Sequence, residues 1–430
     1  MRQHLRRSRR TLFSPKAWKV RLVFWLGATL VGLVCALFAE AAEWANQRFL
    51  AFAHAYPEWP LILTPLGMTL IAWLTVRFFP GSQGSGIPQA IAALQMNSKS
   101  SVLSMRIAIG KIALTVLGLL SGGSIGREGP SVHIGAAIMH SMGRYAHFPP
   151  HYMERGLILA GGAAGVAAAF NTPLAGIMFA IEEMSRSFEN RTSGIVIVAV
   201  VIAGVTAMAI LGPYHYFGTA STGELPHLGT ALAVAICGIG GGLLGGLFAN
   251  LLVTGSQKVA PIARKAPLRV AFLAGLALAI IAYLSGYSAS GTGYVEAKAI
   301  LTESGQFDPW YPLSKMGATL ASYLTGIPGG IFAPSLAAGA GVGADLAHWL
   351  PVAPLSVMIL LGMVGYFSGV VQSPLTAFVI VVEMTAERDM ILPLLATAFL
   401  AYGASHLVCP RPLYHTLAQA FIARDEKIRT

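Results

Sequence analysis

The carboxylates are the residues most able to do chemistry in this chain. Glu128 lies in Gly126-Arg127-Glu128-Gly129-Pro130, directly after a basic residue and within a largely apolar stretch. Glu182 and Glu183 form a second acidic position, shortly beyond Pro173. A charge inside an apolar membrane segment is costly unless it is paired or functional, so Glu128, Glu183, Arg127 and Lys111 stand out. Glu128 would sit at a helix N-terminus, where free backbone N–H groups and the positive dipole end favour an anion. There its carboxylate is a tethered anion, and on protonation it would leave. Competition between a proton and a mobile anion for one place is the minimum needed to couple their movements. Glu183 would lie towards the far end of a helix starting near Pro173, placed to hand protons to the cytoplasm. The blander reading of Glu182 and Glu183 is a helix end facing water, and it is preferred for Glu182. Glu383, nine residues beyond Pro374 as Glu182 is beyond Pro173, precedes a polar run and reads as structural.

Other chemistries find little footing. The eleven His include no HExxH pair, and no phosphate-loop signature is present. Cys35, Cys237 and Cys409 are isolated in apolar surroundings and read as small core residues, without a disulfide framework. Gly240-Gly241-Gly242-Leu243-Leu244-Gly245 fits a dinucleotide fingerprint by letter, but no strand precedes it. Gly238, Gly242 and Gly246 recur every four residues and instead predict close helix packing. With no nucleophile–base pair and no metal-ligand cluster, the chain is not expected to be an enzyme or to need a metal or organic cofactor.

Three Gly/Pro-rich segments could open helices in mid-membrane: Gly84-Ser85-Gly86-Ile87-Pro88, Gly126-Arg127-Glu128-Gly129-Pro130 and Gly329-Gly330-Ile331-Phe332-Ala333-Pro334. Glycine lets backbone approach a ligand closely, and proline suits a first helical turn. Ser85 adds a hydroxyl donor, and Tyr414 offers a phenolic one on an otherwise apolar stretch. Any one segment alone could be a plain break between packed spans, but three of the same kind, one with a carboxylate, point to an anion path.

The elements that position these residues are membrane helices. Of 430 residues 55% are apolar and 11% charged, against roughly 25% charged in a soluble domain. Runs such as Val23–Leu37, Ile195–Leu211, Val270–Leu284 and Leu392–Val408 are nearly free of charge. Many apolar runs fall short of the ~20 residues that cross a bilayer, which predicts re-entrant and half-spanning helices packed within protein. No cleavable signal peptide is expected. The basic segment Met1–Arg21 should stay in the cytoplasm by the positive-inside rule and could touch anionic lipid; nucleic acid is not an expected partner. The chain also repeats. Gly126 to Ser131 is matched by Gly330 to Ser335, and Asn171-Thr172-Pro173-Leu174-Ala175 by Gln372-Ser373-Pro374-Leu375-Thr376. The expected organisation is a basic segment 1–18, a first membrane repeat 19–212, a linker 213–227, a second membrane repeat 228–414 and a tail 415–430. A substrate would sit where the repeats meet.

Taken together, the three Gly/Pro segments in this order, Asn171 to Gly176 leading to Glu182-Glu183-Met184, and Arg411-Pro412-Leu413-Tyr414 resemble the CLC chloride channel and transporter family over nearly the whole chain. The resemblance implies an all-α polytopic membrane protein with an inverted-repeat fold of about 18 helices, and a homodimer with one pore per subunit. It implies that Ser85 and Tyr414, with the backbone N–H groups of Ile331 and Phe332, coordinate chloride. Glu128 would be the external gate, Glu183 the internal proton acceptor, and Gly126, Arg127 and Gly129 would shape the gate loop. Lys111 resembles a buried basic position that favours anions. Serine at position 85 resembles chloride-preferring members; nitrate-preferring relatives carry proline there, and the fluoride branch lacks the serine. Gln89 stands where many relatives have glutamate, and Ser187 where some exchangers have glutamine. No regulatory domain pair of the eukaryotic type is present, which fits a bacterial inner membrane. The implied activity is chloride/proton antiport; the alternative is a passive chloride channel of the same family.

Overall fold

A computed structural model describes residues 14–96, 102–148, 155–185, 190–212, 217, 227–302, 308–385, 387 and 389–427. The basic residues before position 14, Ser187 and most of the 213–227 connection lie outside the described residues. The described chain forms seventeen α-helices and no extended strands. In order these are α1 (Pro15–Ala55), α2 (Pro60–Phe78), α3 (Ile87–Gln95), α4 (Met105–Leu120), α5 (Glu128–Met142), α6 (Leu157–Phe170), α7 (Pro173–Phe179), α8 (Asn190–Leu211) and α9 (His227–Lys265). There follow α10 (Pro267–Leu284), α11 (Tyr294–Thr302), α12 (Tyr311–Leu324), α13 (Phe332–Trp349), α14 (Leu355–Val371), α15 (Pro374–Thr385), α16 (Ile391–His406) and α17 (Leu413–Lys427).

Five helices are long and apolar enough to cross a membrane: Pro15–Ala55, Pro60–Phe78, Gly194–Leu211, Leu228–Lys265 and Pro267–Leu284. Their outer faces carry exposed apolar side chains such as Leu66 and Leu273. The shorter helices are interior. Every residue of α6 is buried, and so is α14 from Val357 onwards. Small residues allow this closeness. An added Cβ at Gly161 would meet the Gly135 carbonyl oxygen at 2.2 Å, which pins α6 on α5, and one at Gly362 would meet the Gly343 Cα at 2.4 Å, which pins α14 on α13. The expected packing role of Gly238, Gly242 and Gly246 is met in the same way. Added Cβ atoms there would approach Leu400, Ala401 and Ser405 of α16 within 2.9 Å. Cys35, Cys237 and Cys409 are buried free thiols.

Residues matched by the sequence repeat bond one another directly. Gly126 donates to the Gly330 carbonyl and Gly330 to the Gly126 carbonyl, both at 2.7 Å, in an antiparallel bridge. Reciprocal bonding between equivalent residues places a local two-fold axis between them. Since the paired segments run in opposite senses, α5 and α13 leave the bridge in opposite directions with their N-termini together. The two Pro-led helices show the same exchange. Glu182 accepts from the backbone N–H groups of Leu375 (3.1 Å) and Thr376 (2.7 Å) at the start of α15. Glu383 accepts from those of Leu174 (3.1 Å) and Ala175 (2.8 Å) at the start of α7. Each acid satisfies orphan donors and the positive end of the other repeat's helix. Glu182 is therefore structural, as preferred from sequence, but it faces a helix N-terminus and not a plain water-exposed helix end. Before both helices the chain turns through left-handed residues at equivalent positions, Asn171 (φ 57°) and Gln372 (φ 56°).

The expected connection 213–227 falls between α8, which ends at Leu211, and α9, which begins at His227. Helix α17 carries Tyr414 in its first turn and continues to Lys427, so segment 415–430 begins inside a helix. Within the 213–227 connection, Phe217 is buried and donates its backbone N–H to the Met384 carbonyl at 3.3 Å.

Candidate functional site

Four helices start at one buried place, because glycine-rich turns without bulky side chains bring their ends close. Gly84 and Gly86 before α3 hold φ of 69° and 102°, and Gly291 and Gly293 before α11 hold 64° and 81°, a region L-residues avoid. Gly84 pairs with the turn before α13, donating to Ile327 at 3.2 Å and accepting from Gly329 at 3.3 Å. A Cβ at Gly129 would meet the Ser85 carbonyl oxygen at 2.8 Å and the Gly330 Cα at 3.3 Å. The three segments singled out in the sequence are thus in mutual contact, and α11 joins them as a fourth.

Glu128, the first residue of α5, is fully buried. Its Oε1 accepts the Tyr294 hydroxyl at 2.7 Å. Its Oε2 lies beside Gly126, where an added Cβ would crowd it, and close to the start of α13 at Ala333 and Pro334. The adjoining Arg127 turns away, donating to the Ala39 carbonyl at 2.6 Å, and its guanidinium carbon lies 5.9 Å from the Tyr294 ring centroid.

Ile331 and Phe332 are buried at the start of α13. The helical ladder begins with Ser335 N–H to the Ile331 carbonyl at 3.0 Å, so the first-turn N–H groups have no partner within the helix. The Phe332 ring meets Phe170, Phe179, Phe367 and Tyr414 at centroid distances of 4.9–6.1 Å. The buried Tyr414 hydroxyl has no hydrogen-bond partner among the described residues. Ser85 Oγ accepts from Ile87 N–H at 3.3 Å, which leaves its own hydroxyl hydrogen to donate. A buried orphan phenol, a free hydroxyl hydrogen and helix N-termini form a donor-rich, apolar-walled setting suited to a dehydrated anion.

Glu183 is buried on a π-helical turn, Ala180–Ser185, that continues α7. This turn lets consecutive acids serve different partners: Glu182 caps α15, while Glu183 Oε2 accepts the hydroxyl of Ser373, the residue before α15. His415 Nε2 lies 2.9 Å from the Glu183 carbonyl oxygen.

Lys111 is buried and donates to the carbonyls of Ser82 (2.8 Å), Gln83 (3.4 Å) and Gly84 (2.9 Å). It builds the turn before α3. Gln89 has the same purpose, giving its amide N–H to the Gln83 carbonyl at 2.6 Å; an ionised glutamate has no proton to donate there. Two residues of this site were not singled out from sequence: Lys315, which donates to Ala289, Ser290 and Gly291 carbonyls within 3.2 Å, and Tyr294. The signal was present. Lys315 follows Lys111 by the spacing that separates Gly330 from Gly126, and Gly291-Thr292-Gly293-Tyr294 echoes Gly84-Ser85-Gly86-Ile87.

The chain is 32% identical over 444 residues to an H(+)/Cl(-) exchange transporter, ClcA, of Yersinia pestis bv. Antiqua (strain Angola), covering 96% of this chain and 90% of that protein. A solved slow cyanobacterial Cl-/H+ antiporter superposes with a TM-score of 0.81 at 26% identity, covering 94% of this chain and 98% of the other. A CLC-type fluoride/proton antiporter shares the fold, with a TM-score of 0.79 at 24% identity over 91% and 96% of the two chains. Residues 67–406 match the family described as voltage gated chloride channel, and this protein belongs to that family.

Proposed function

We propose that this protein exchanges chloride for protons across a membrane, with Glu128 as the external gate and Glu183 as the internal proton acceptor. The observation that carries the reading is the buried Glu128 carboxylate at the N-terminus of α5, held against the start of α13. An anionic side chain there occupies the kind of place a chloride ion would take, and protonation removes its charge. Ser85, Tyr414 and the backbone N–H groups of Ile331 and Phe332 are the proposed chloride ligands. Gly126, Arg127 and Gly129 keep the gate loop compact. The likeness to a ClcA exchange transporter and to a Cl-/H+ antiporter structure supports the same assignment. Ser85 favours chloride over nitrate or fluoride as the anion.

The proposed setting is a bacterial inner membrane, crossed many times, with the N-terminus in the cytoplasm and two subunits each carrying a pore. Segments 19–212 and 228–414 are the two inverted repeats, joined by 213–227 and flanked by 1–18 and 415–430.

The test is flux in liposomes. Purified protein is reconstituted, an outward chloride gradient is imposed without a proton gradient, and the membrane potential is held at zero. Protons taken up as chloride leaves, with the uptake lost in Glu128→Gln, establish exchange. Chloride efflux without proton movement would make the protein a passive chloride channel, or an uncoupled transporter, despite Glu183.

A further inference from the structure

We propose that Tyr294 is a positioning residue that latches the Glu128 gate in its closed place. The inference rests on the exchange reading for the role of Glu128, but its own evidence is geometric. The Tyr294 hydroxyl donates to Glu128 Oε1 at 2.7 Å, and the phenol is 5% exposed. A phenol donating to a carboxylate is a charge-assisted bond, and exclusion of water strengthens it. The ring is itself fixed from two sides. Arg127, the residue before the gate, lies over it at 5.9 Å. The Phe217 ring lies 5.7 Å away at 54°.

Tyr294 also comes from the half of the chain that does not contain Glu128. It is the first residue of α11 and occupies the place that Ile87 holds as the first residue of α3. An aliphatic residue there offers no donor. The substitution of a phenol at one of two equivalent places gives the gate a partner across the join between halves. A neutral carboxyl accepts such a bond more weakly than a carboxylate, so the latch holds the charged, chloride-like form of the gate and loosens on protonation.

Chloride affinity reads the latch, because the tethered carboxylate and the free ion compete. The full-length protein in detergent is titrated with chloride by calorimetry in four forms: unaltered, Tyr294→Phe, Glu128→Gln and the double variant. Phenylalanine keeps the ring and its packing. The latch predicts that Tyr294→Phe raises chloride affinity about tenfold when Glu128 is present, and leaves it unchanged in the Glu128→Gln background. No rise in the first case, or an equal rise in both backgrounds, overturns the latch. Proton flux in liposomes separates the two readings. A protein that shows this pattern but moves no protons keeps the latch and loses the exchange assignment; one that exchanges normally without the pattern loses the latch alone.

Discussion

At the residue scale, the two buried acids differ in what holds them. Glu128 meets a helix N-terminus and a phenol, whereas Glu183 meets the Ser373 hydroxyl and lies near His415. Glu128→Gln carries a neutral amide that mimics only the protonated gate. Chloride should still cross in reconstituted liposomes while coupled proton uptake falls to background; persistent coupled uptake would remove Glu128 from the gate. Glu183→Gln should also abolish proton movement with chloride passage retained, and continued proton pumping would assign the inner step to another residue. Ser85→Pro removes the hydroxyl donor before α3, so competitive flux should shift towards nitrate. An unchanged chloride-to-nitrate ratio would mean that Ser85 does not set selectivity.

At the element scale, the exchanged caps matter most. Helices α7 and α15 each begin with a proline, which removes one orphan donor, and each receives a carboxylate from the opposite half onto the next two. Glu383→Ala leaves the Leu174 and Ala175 N–H groups without that partner. The expected loss is about 1–2 kcal/mol, read as a lowered melting temperature in detergent. Glu182→Ala should cost a similar or larger amount, because it also loses the Thr376 hydroxyl at 2.8 Å. Melting temperatures equal to that of the unaltered protein would show that water replaces both caps freely.

At the scale of the whole molecule, the two halves are joined at their glycine turns, and each half carries an equivalent lysine. Each lysine places its ammonium on three consecutive backbone carbonyls of a turn that precedes a helix of the site. Lys315→Met keeps most of the side-chain volume and leaves three buried acceptors unpaired. A loss of roughly 3 kcal/mol is expected, seen as reduced yield of folded protein on size exclusion and an earlier melt. A variant as stable as the parent would show that this turn does not need its ammonium. The axis itself is less forgiving: a Cβ at Gly330 would meet the Gly129 backbone nitrogen at 3.0 Å and the Gly126 carbonyl oxygen at 3.1 Å.

The sequence by itself determined the class of fold and pointed to the repeat and to the residues of the candidate site. Low charge and apolar runs follow from the membrane as solvent. The Gly/Pro turns carry their helix starts in their own local chemistry, so the segments at Ser85, Glu128 and Phe332 were legible. Local chemistry also marked Glu128 and Glu183 as buried acids. Only the tertiary structure decided which partner each group meets. That Glu182 and Glu383 cap helices in opposite halves depends on contacts between residues some two hundred positions apart, as does the phenol of Tyr294 on Glu128. Sequence spacing records such a pairing only as a faint echo, here in Gly291-x-Gly293 and in Lys315. The burial of Phe217 was hidden for the same reason: a polar connecting segment predicts a linker, and only packing against Tyr294 makes one of its residues part of the core.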